Sequence, residues 1–91
     1  MIENENLLLD FGLKLQDIIT NYQSLYDNTD VGKKEFLRVS AEPLNDEIAR
    51  LNVNTINEML IGNDMIIDHE LLLSINKLSL QAVIDFGIAI K

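Results

Sequence analysis

The chain has 91 residues, with 15 acidic side chains against 7 basic ones, a single histidine and no cysteine. This length suits one domain, and an apolar content of 47% is typical of a folded chain rather than a disordered one. The absence of cysteine excludes disulfides and thiolate metal sites. The net charge of −8 argues against direct binding to nucleic acid or to an anionic membrane, because both require basic side chains to neutralise phosphates.

The first residues, 1–5, lack the basic region of a signal peptide, so we expect a cytoplasmic protein. The longest apolar run in the tail, Leu78–Ile84, is much shorter than the roughly 18–20 residues that a membrane-spanning helix needs. We therefore expect no membrane association.

The first predicted helix covers about residues 5–26. Its apolar residues recur at alternating spacings of three and four, which is typical of a helix with one buried face. They are Leu8, Phe11, Leu15, Ile18, Tyr22 and Leu25. Asn4 is the predicted N-cap, and Glu5 lies where a carboxylate interacts favourably with the helix dipole.

A loop is predicted for residues 27–32, which are rich in Asp, Asn, Thr and Gly. The next stretch, Lys33–Val39, is too short for its periodicity to distinguish helix from strand. We favour a short helix capped by Thr29 or Asp30, because an isolated strand in a helical chain has nothing to pair with.

A second long helix is predicted over about residues 41–61, with Pro43 in its first turn, where the missing N–H is tolerated. Its apolar stripe consists of Leu44, Ile48, Leu51, Ile56, Met59 and Leu60. Gly62 is the predicted left-handed stop.

The tail from Met65 to Ile90 contains 16 apolar side chains and only four charges. Asp68 and Ser79 are both suitable helix caps, so the segment 68–90 is either one helix or two. Gly12 and Gly87 mark either close helix crossings or accidents of sequence. Together these elements predict an all-α fold: one domain, 1–91, built as a bundle of three to five helices with an apolar C-terminal helix at the core or at an interface.

Two candidate metal sites fail on ligand chemistry. The stretch Asp27–Arg38 has the length of an EF-hand loop with Gly32 at its sixth position, but Val31 and Arg38 occupy positions that need oxygen ligands. Four possible ligands cluster near the tail: Asp64, Asp68, His69 and Glu70. The last three are consecutive and would point in different directions on a helix. We predict no metal, no cofactor and, for want of a base and nucleophile pair, no enzymatic activity.

Two short segments resemble acyl carrier proteins, which are small acidic four-helix bundles. Leu78–Phe86 looks like the last helix of that family, and Leu9–Leu13 is similar to the stretch before its phosphopantetheine attachment site. That site is the serine of an Asp-Ser-Leu motif, whereas Lys14 and Leu15 follow Leu13 here. No functional residue is carried over from the resemblance.

The surplus of apolar side chains in the tail predicts a non-enzymatic protein-binding module, such as a small regulator, inhibitor or assembly subunit. The predicted partner-binding residues are Val83, Phe86, Ile88 and Ile90, and the partner is another protein or a second copy of the chain. The alternative is an acidic mimic of nucleic acid that inhibits a DNA- or RNA-binding enzyme. It would use Asp10, Asp17, Glu42, Asp46 and Glu47.

Overall fold

A computed structural model describes residues 4–62 and 64–90, and these residues form three helices without a strand. Helix α1 spans Asn4–Asp27, α2 spans Lys33–Gly62 and α3 spans His69–Ala89. The prediction of an all-α bundle is confirmed, at the lower end of the expected number of helices.

Helix α1 agrees with the predicted boundaries, but its buried face is rotated. Spacings of four dominate, and each such step turns the face by about 40° on a helix of 3.6 residues per turn. The core positions are Leu7, Phe11, Leu15, Ile19 and Tyr22. Leu25, expected inside, is 51% exposed, because Tyr26 takes the inner place and its ring packs 5.0 Å from that of Phe36. The capping role predicted for the Asn4 side chain lies outside what the structure describes.

Helix α2 is one continuous helix, so the prediction of a short helix followed by a second one was wrong. Pro43 lies inside it and has no N–H to donate to the carbonyl of Val39. The helix continues because core residues on both sides of the proline share one face, and tertiary packing outweighs the lost hydrogen bond. These residues are Phe36, Ser40, Leu44 and Ile48.

The start of α2 also differs from the prediction. The carbonyl of Gly32 accepts the first helical hydrogen bond, from the Phe36 N–H at 2.9 Å, so Gly32 occupies the N-cap position. Thr29, a predicted cap, instead accepts through its hydroxyl from the Val31 N–H at 3.4 Å and shapes the loop.

The end of α2 corrects the expectation of a left-handed Gly62. The left-handed residues are Asp64, with φ of 52°, and Met65, with φ of 66°. The Met65 N–H donates to the Leu60 carbonyl five residues back at 2.6 Å, which is the signature bond of a Schellman stop. Gly62 remains within the helix.

The tail forms one helix, α3. Asp68 is its N-cap as predicted, accepting through Oδ1 from the Leu71 N–H at 3.1 Å. Ser79, the other predicted cap, is buried within the helix and donates to the Ile75 carbonyl four residues back at 2.9 Å. The helix continues past Ser79 because its inner apolar face does not change there.

The helices run up, down and up, so α1 and α3 are parallel and α2 is antiparallel to both. Aromatic rings fix one end of the bundle, where Tyr22 and Phe36 each lie 6.4 Å from Phe86. Gly12 and Gly87 do not mark close crossings, because a Cβ built on either would have no heavy atom within 4 Å.

The bundle is a rod of 49 × 19 × 17 Å with a radius of gyration of 14.8 Å. A compact domain of this length would have a radius near 12 Å. Its accessible surface is 6307 Å², whereas a typical monomer of 10.3 kDa exposes about 5,400 Å². The rod therefore leaves more surface uncovered than its mass requires.

Candidate interaction surface

Helix α3 is apolar on two opposite faces. Its inner face supplies core residues, among them Leu71, Ile75 and Phe86. On the other side lie four aliphatic side chains that are 55–72% exposed. They are Leu73, Leu80, Ile84 and Ile88. At 100° per residue these four fall within an arc of about 80° directly opposite the core, and we call them the α3 outer face.

The four partner-binding residues predicted from the sequence divide into two pairs. Phe86 and Ile90 are only 2% and 3% exposed and belong to the core of the chain itself, so they are not available to a partner. Val83 and Ile88 are 37% and 72% exposed, and Ile88 lies on the α3 outer face. A helical wheel distinguishes these positions only once the direction of the core is known.

Sequence reasoning missed Leu73, Leu80 and Ile84. A signal for them was present, since the three residues are spaced by seven and four and so share one side of a helix. The same spacing describes the buried side of α3, so the sequence alone did not indicate which side faces outward.

Two charged side chains belong to the body of α3. Lys77 lies within the α3 outer face, between Ile84 and Ile88 on the helical wheel. Asp85 lies outside the face, about 60° beyond Ile88 on the helical wheel, and accepts a hydrogen bond from Gln81 Nε2 at 2.8 Å. Both are exposed, and their charges cancel.

A second apolar surface lies between α1 and α3. Leu9 and Leu13, both exposed, line a shallow groove of about 440 Å³ together with Gly12 and Leu78. Farther along the same two helices, Leu15 and Ala82 help to line a smaller pocket of about 200 Å³. The absence of a side chain at Gly12 opens both of them.

A third apolar surface lies at the connection between α2 and α3. Ile61, Met65, Ile66 and Ile67 are all exposed there. Acidic residues flank the connection, including Asp64 and Asp68 of the rejected candidate metal cluster. Across residues 4–62 and 64–90, no group of three His, Asp or Glu side chains is arranged to hold a metal ion.

The stretch compared with an EF-hand loop, Asp27–Arg38, is not one continuous loop. Residues Lys33 to Arg38 form the first turns of α2. Glu35 and Arg38 form an ion pair there, which lowers the pKa of Glu35 through the hydrogen bond from the guanidinium.

The carboxylates of the predicted nucleic-acid mimic do not form one free row. Asp10 pairs with Lys14 at 2.9 Å, and this hydrogen bond raises the pKa of Lys14. Glu47 lies beside the hydroxyl of Tyr22. Burial and the neighbouring carboxylate together raise the pKa of Tyr22 to about 12.

Helix α3 is also long and apolar enough to cross a membrane, judged by length and composition alone. The expectation of no membrane association stays a prediction, because one such helix is weak evidence of a membrane span. Core helices of water-soluble bundles pass the same test, and the inner face of α3 is packed on α1.

Comparison with protein-family models, with curated proteins and with solved structures finds no match to this chain.

Proposed function

We propose that the protein is a non-enzymatic binding module that packs the α3 outer face against an apolar surface of a partner protein. The observation that carries this proposal is the position of the four aliphatic side chains: they lie on the side of α3 opposite its own core and are 55–72% exposed. A helix that is apolar on both sides is typical of one that lies between two layers.

The energetics are of the size that association requires. Fully burying a leucine or isoleucine stabilises by about 1.5–3 kcal/mol. The α3 outer face is already about one-third covered, so a partner would gain about 4–8 kcal/mol from it, within the range of the entropic cost of association. The partner surface must therefore be apolar and of similar extent, since a small contact would not offset that cost.

The charge pattern favours this face over the others. Residues 1–30 carry a net charge of −5 and residues 41–70 carry −6, whereas the body of α3 is neutral. An apolar partner reaching α3 meets little electrostatic repulsion, and the acidic sides of α1 and α2 stay in water and keep the complex dispersed. A cytoplasmic location and the absence of membrane association remain part of this proposal.

Site-specific photo-cross-linking tests the proposal. A photoreactive amino acid at Ile84 of the full chain, expressed in cells, should give covalent adducts that are detected by mass shift and identified by mass spectrometry. The matched control carries the same amino acid at Thr20, which is exposed on α1 and is not part of the α3 outer face. Adducts from Ile84 and none from Thr20 support the proposal, whereas equal labelling at the two positions or none at Ile84 contradicts it.

The acidic nucleic-acid mimic stays the alternative proposal. What favours it is the position of Glu42 and Asp46, one turn apart and exposed on α2. It predicts binding to a basic nucleic-acid enzyme that weakens steeply with added salt and is lost when both residues are changed to glutamine and asparagine. A partner bound through the α3 outer face should instead keep its affinity in salt, because apolar burial is not screened.

A further inference from the structure

We propose that the α3 outer face is occupied by a second copy of this chain, with the two α3 helices packed antiparallel about a two-fold axis near Leu80 and Gln81. This inference rests on the proposed function, because it names the partner of the same face.

The first support is the amount of uncovered surface. The chain exposes about 900 Å² more than a typical monomer of its mass. Each partner in a standard protein interface buries about 800 Å². One interface of standard size along the rod would therefore reduce the exposed surface of each chain to that of a typical monomer of its mass.

The second support is charge. Two identical chains of net charge −8 repel each other through most of their surfaces. Contact through the acidic α1 and α2 would bring like charges together, whereas α3 from Leu71 to Ala89 carries only Lys77 and Asp85, which cancel. Of the three helices, α3 is the one through which self-association meets the least electrostatic repulsion.

The third support is the symmetry of the face. Leu73 and Ile88 lie at its two ends, and Leu80 lies near the midpoint between them. An antiparallel two-fold pair therefore places Leu73 beside Ile88 of the second copy and Leu80 beside Leu80 of the second copy. The contact between the two α3 helices would be about 22 Å long. A self-complementary patch of this kind is what a two-fold interface requires.

The same arrangement pairs the two charges. Lys77 and Asp85 lie on opposite sides of the midpoint at nearly equal distances along α3, so the antiparallel pair brings Lys77 close to Asp85 of the second copy, twice. The aliphatic stem of Lys77 would cover the neighbouring leucines while its ammonium group reaches the rim. A parallel pair would instead place Lys77 beside Lys77 and Asp85 beside Asp85, so the charges select the antiparallel orientation.

Sedimentation velocity over a range of concentrations tests whether the pair forms. Wild-type protein should change from monomer to dimer as its concentration rises, and this change gives the dissociation constant. The substitution Ile84→Glu should raise that constant about thirtyfold or more. The matched control is Ile61→Glu, an exposed isoleucine on α2 outside the face, which should leave it unchanged. Far-UV circular dichroism confirms that both variants remain helical.

Cysteine cross-linking tests the orientation, because the natural chain has no cysteine to interfere. A mixture of Leu73→Cys and Ile88→Cys chains should oxidise mainly to the mixed dimer, and Leu80→Cys should cross-link to itself. Preferential cross-linking of Leu73→Cys to itself would overturn the antiparallel arrangement. Charge reversal supplies a second measurement: Lys77→Glu and Asp85→Lys should each weaken the dimer, and the double variant should restore it.

These results separate the inference from the function on which it rests. A wild-type chain that stays monomeric at every concentration overturns self-pairing, and adducts of photoreactive Ile84 with another protein would then still support the binding module. A protein that stays monomeric and also gives no Ile84 adducts would overturn both the self-pairing and the binding module. A chain that stays monomeric in water and binds lipid vesicles through Ile84 would also overturn the inference, in favour of a membrane surface.

Discussion

The hydroxyl oxygen of Ser79 lies 3.0 Å from the side-chain oxygen of Asn52 and joins α3 to α2 between positions 27 residues apart. Ser79 is buried and Asn52 half-buried. The single hydroxyl hydrogen is directed either to Asn52 or to the Ile75 carbonyl, so the link draws on one donor for two acceptors. It connects two helices that share fewer contacts with each other than each shares with α1.

Replacing Ser79 by alanine should lower the free energy of unfolding by about 1 kcal/mol, because Asn52 loses a buried partner. Urea denaturation measures the change. A double-mutant cycle with Asn52→Ala isolates the link, and the double variant should lose less than the sum of the single losses. Strict additivity would show that the two side chains do not interact.

Phe86 and Ile88 are two residues apart on α3 and should behave in opposite ways. Phe86→Ala leaves a cavity beside Tyr22 and Phe36 and should cost about 3–5 kcal/mol, a large part of the stability of a small domain. Phe86→Leu, at about 1–2 kcal/mol, keeps the chain folded for measurement. Ile88→Ala should change stability by less than about 0.5 kcal/mol, measured at a concentration where the chain is monomeric. A large loss from Ile88→Ala would show that the residue is buried in the monomer.

Removal of the Asp68 cap should loosen the start of α3. Asp68→Ala leaves the Leu71 N–H without its acceptor and should cost about 0.5–2 kcal/mol. Asp68→Ser supplies a hydroxyl oxygen at the same place and should recover most of the loss. Equal losses for alanine and serine would rule out the cap as the cause, and hydrogen exchange at the first turn of α3 would show where the loosening occurs.

The Tyr22 hydroxyl should titrate far above an ordinary tyrosine, because burial and the carboxylate of Glu47 raise its pKa from 10.0 to about 12. The chain has two tyrosines, so Tyr26→Phe leaves Tyr22 as the single one, and tyrosinate absorbance then follows it alone. Glu47→Gln should move the midpoint down towards 10, while part of the rise remains from burial. A midpoint near 10 in the unaltered environment would show that Tyr22 is solvated.

The same pKa makes stability depend on pH at the alkaline end. Below pH 10 both the folded and the unfolded chain hold the Tyr22 proton, and the stabilisation is complete. Between about pH 10 and 12 the unfolded chain loses that proton first, so the free energy of unfolding falls as pH rises. Tyr22→Phe should flatten this decline relative to the parent protein, and urea denaturation at several alkaline pH values measures it. If stability declines equally in Tyr22→Phe and the parent protein, other titrating groups cause the decline.

Gly12 and Gly87 occupy helical positions where a methyl group meets open space. Gly12→Ala and Gly87→Ala should each raise the free energy of unfolding by about 0.5–1 kcal/mol, because alanine loses less backbone entropy in a helix. Thermal denaturation at low protein concentration measures the gain. Gly32→Ala, at the cap of α2, is the contrasting change and should not stabilise, because glycine is a better cap than alanine.

The helical class, the loop at 27–32 and the Asp68 cap were predictable from sequence, because each depends on local chemistry. The continuity of α2 through Pro43 was not, since the gain comes from residues that meet α1 and α3. The left-handed positions at Asp64 and Met65 were missed for a related reason: glycine was expected to adopt the rare conformation, and two residues with side chains adopt it instead.

The surface was predictable in kind but not in detail. An excess of aliphatic residues in the tail indicates that α3 contacts more than its own core. This identifies the helix that carries the surface, but not the side of the helix that faces outward. The direction of the core is a tertiary property. Because of that direction, Phe86 and Ile90 are buried although they were predicted on the surface, and Leu73, Leu80 and Ile84 are exposed.

Because three helices alternate in direction, Asn4 and Ile90 emerge at opposite poles of the rod. A cargo fused at one pole and another at the other would be held apart by about 33 Å along the rod, because Ile90 lies beside Tyr26, 22 residues after Asn4 in α1. Fused in this way, the molecule would act as a short rigid spacer that holds the two attachment points apart. Pairing through the α3 outer face would leave both poles accessible.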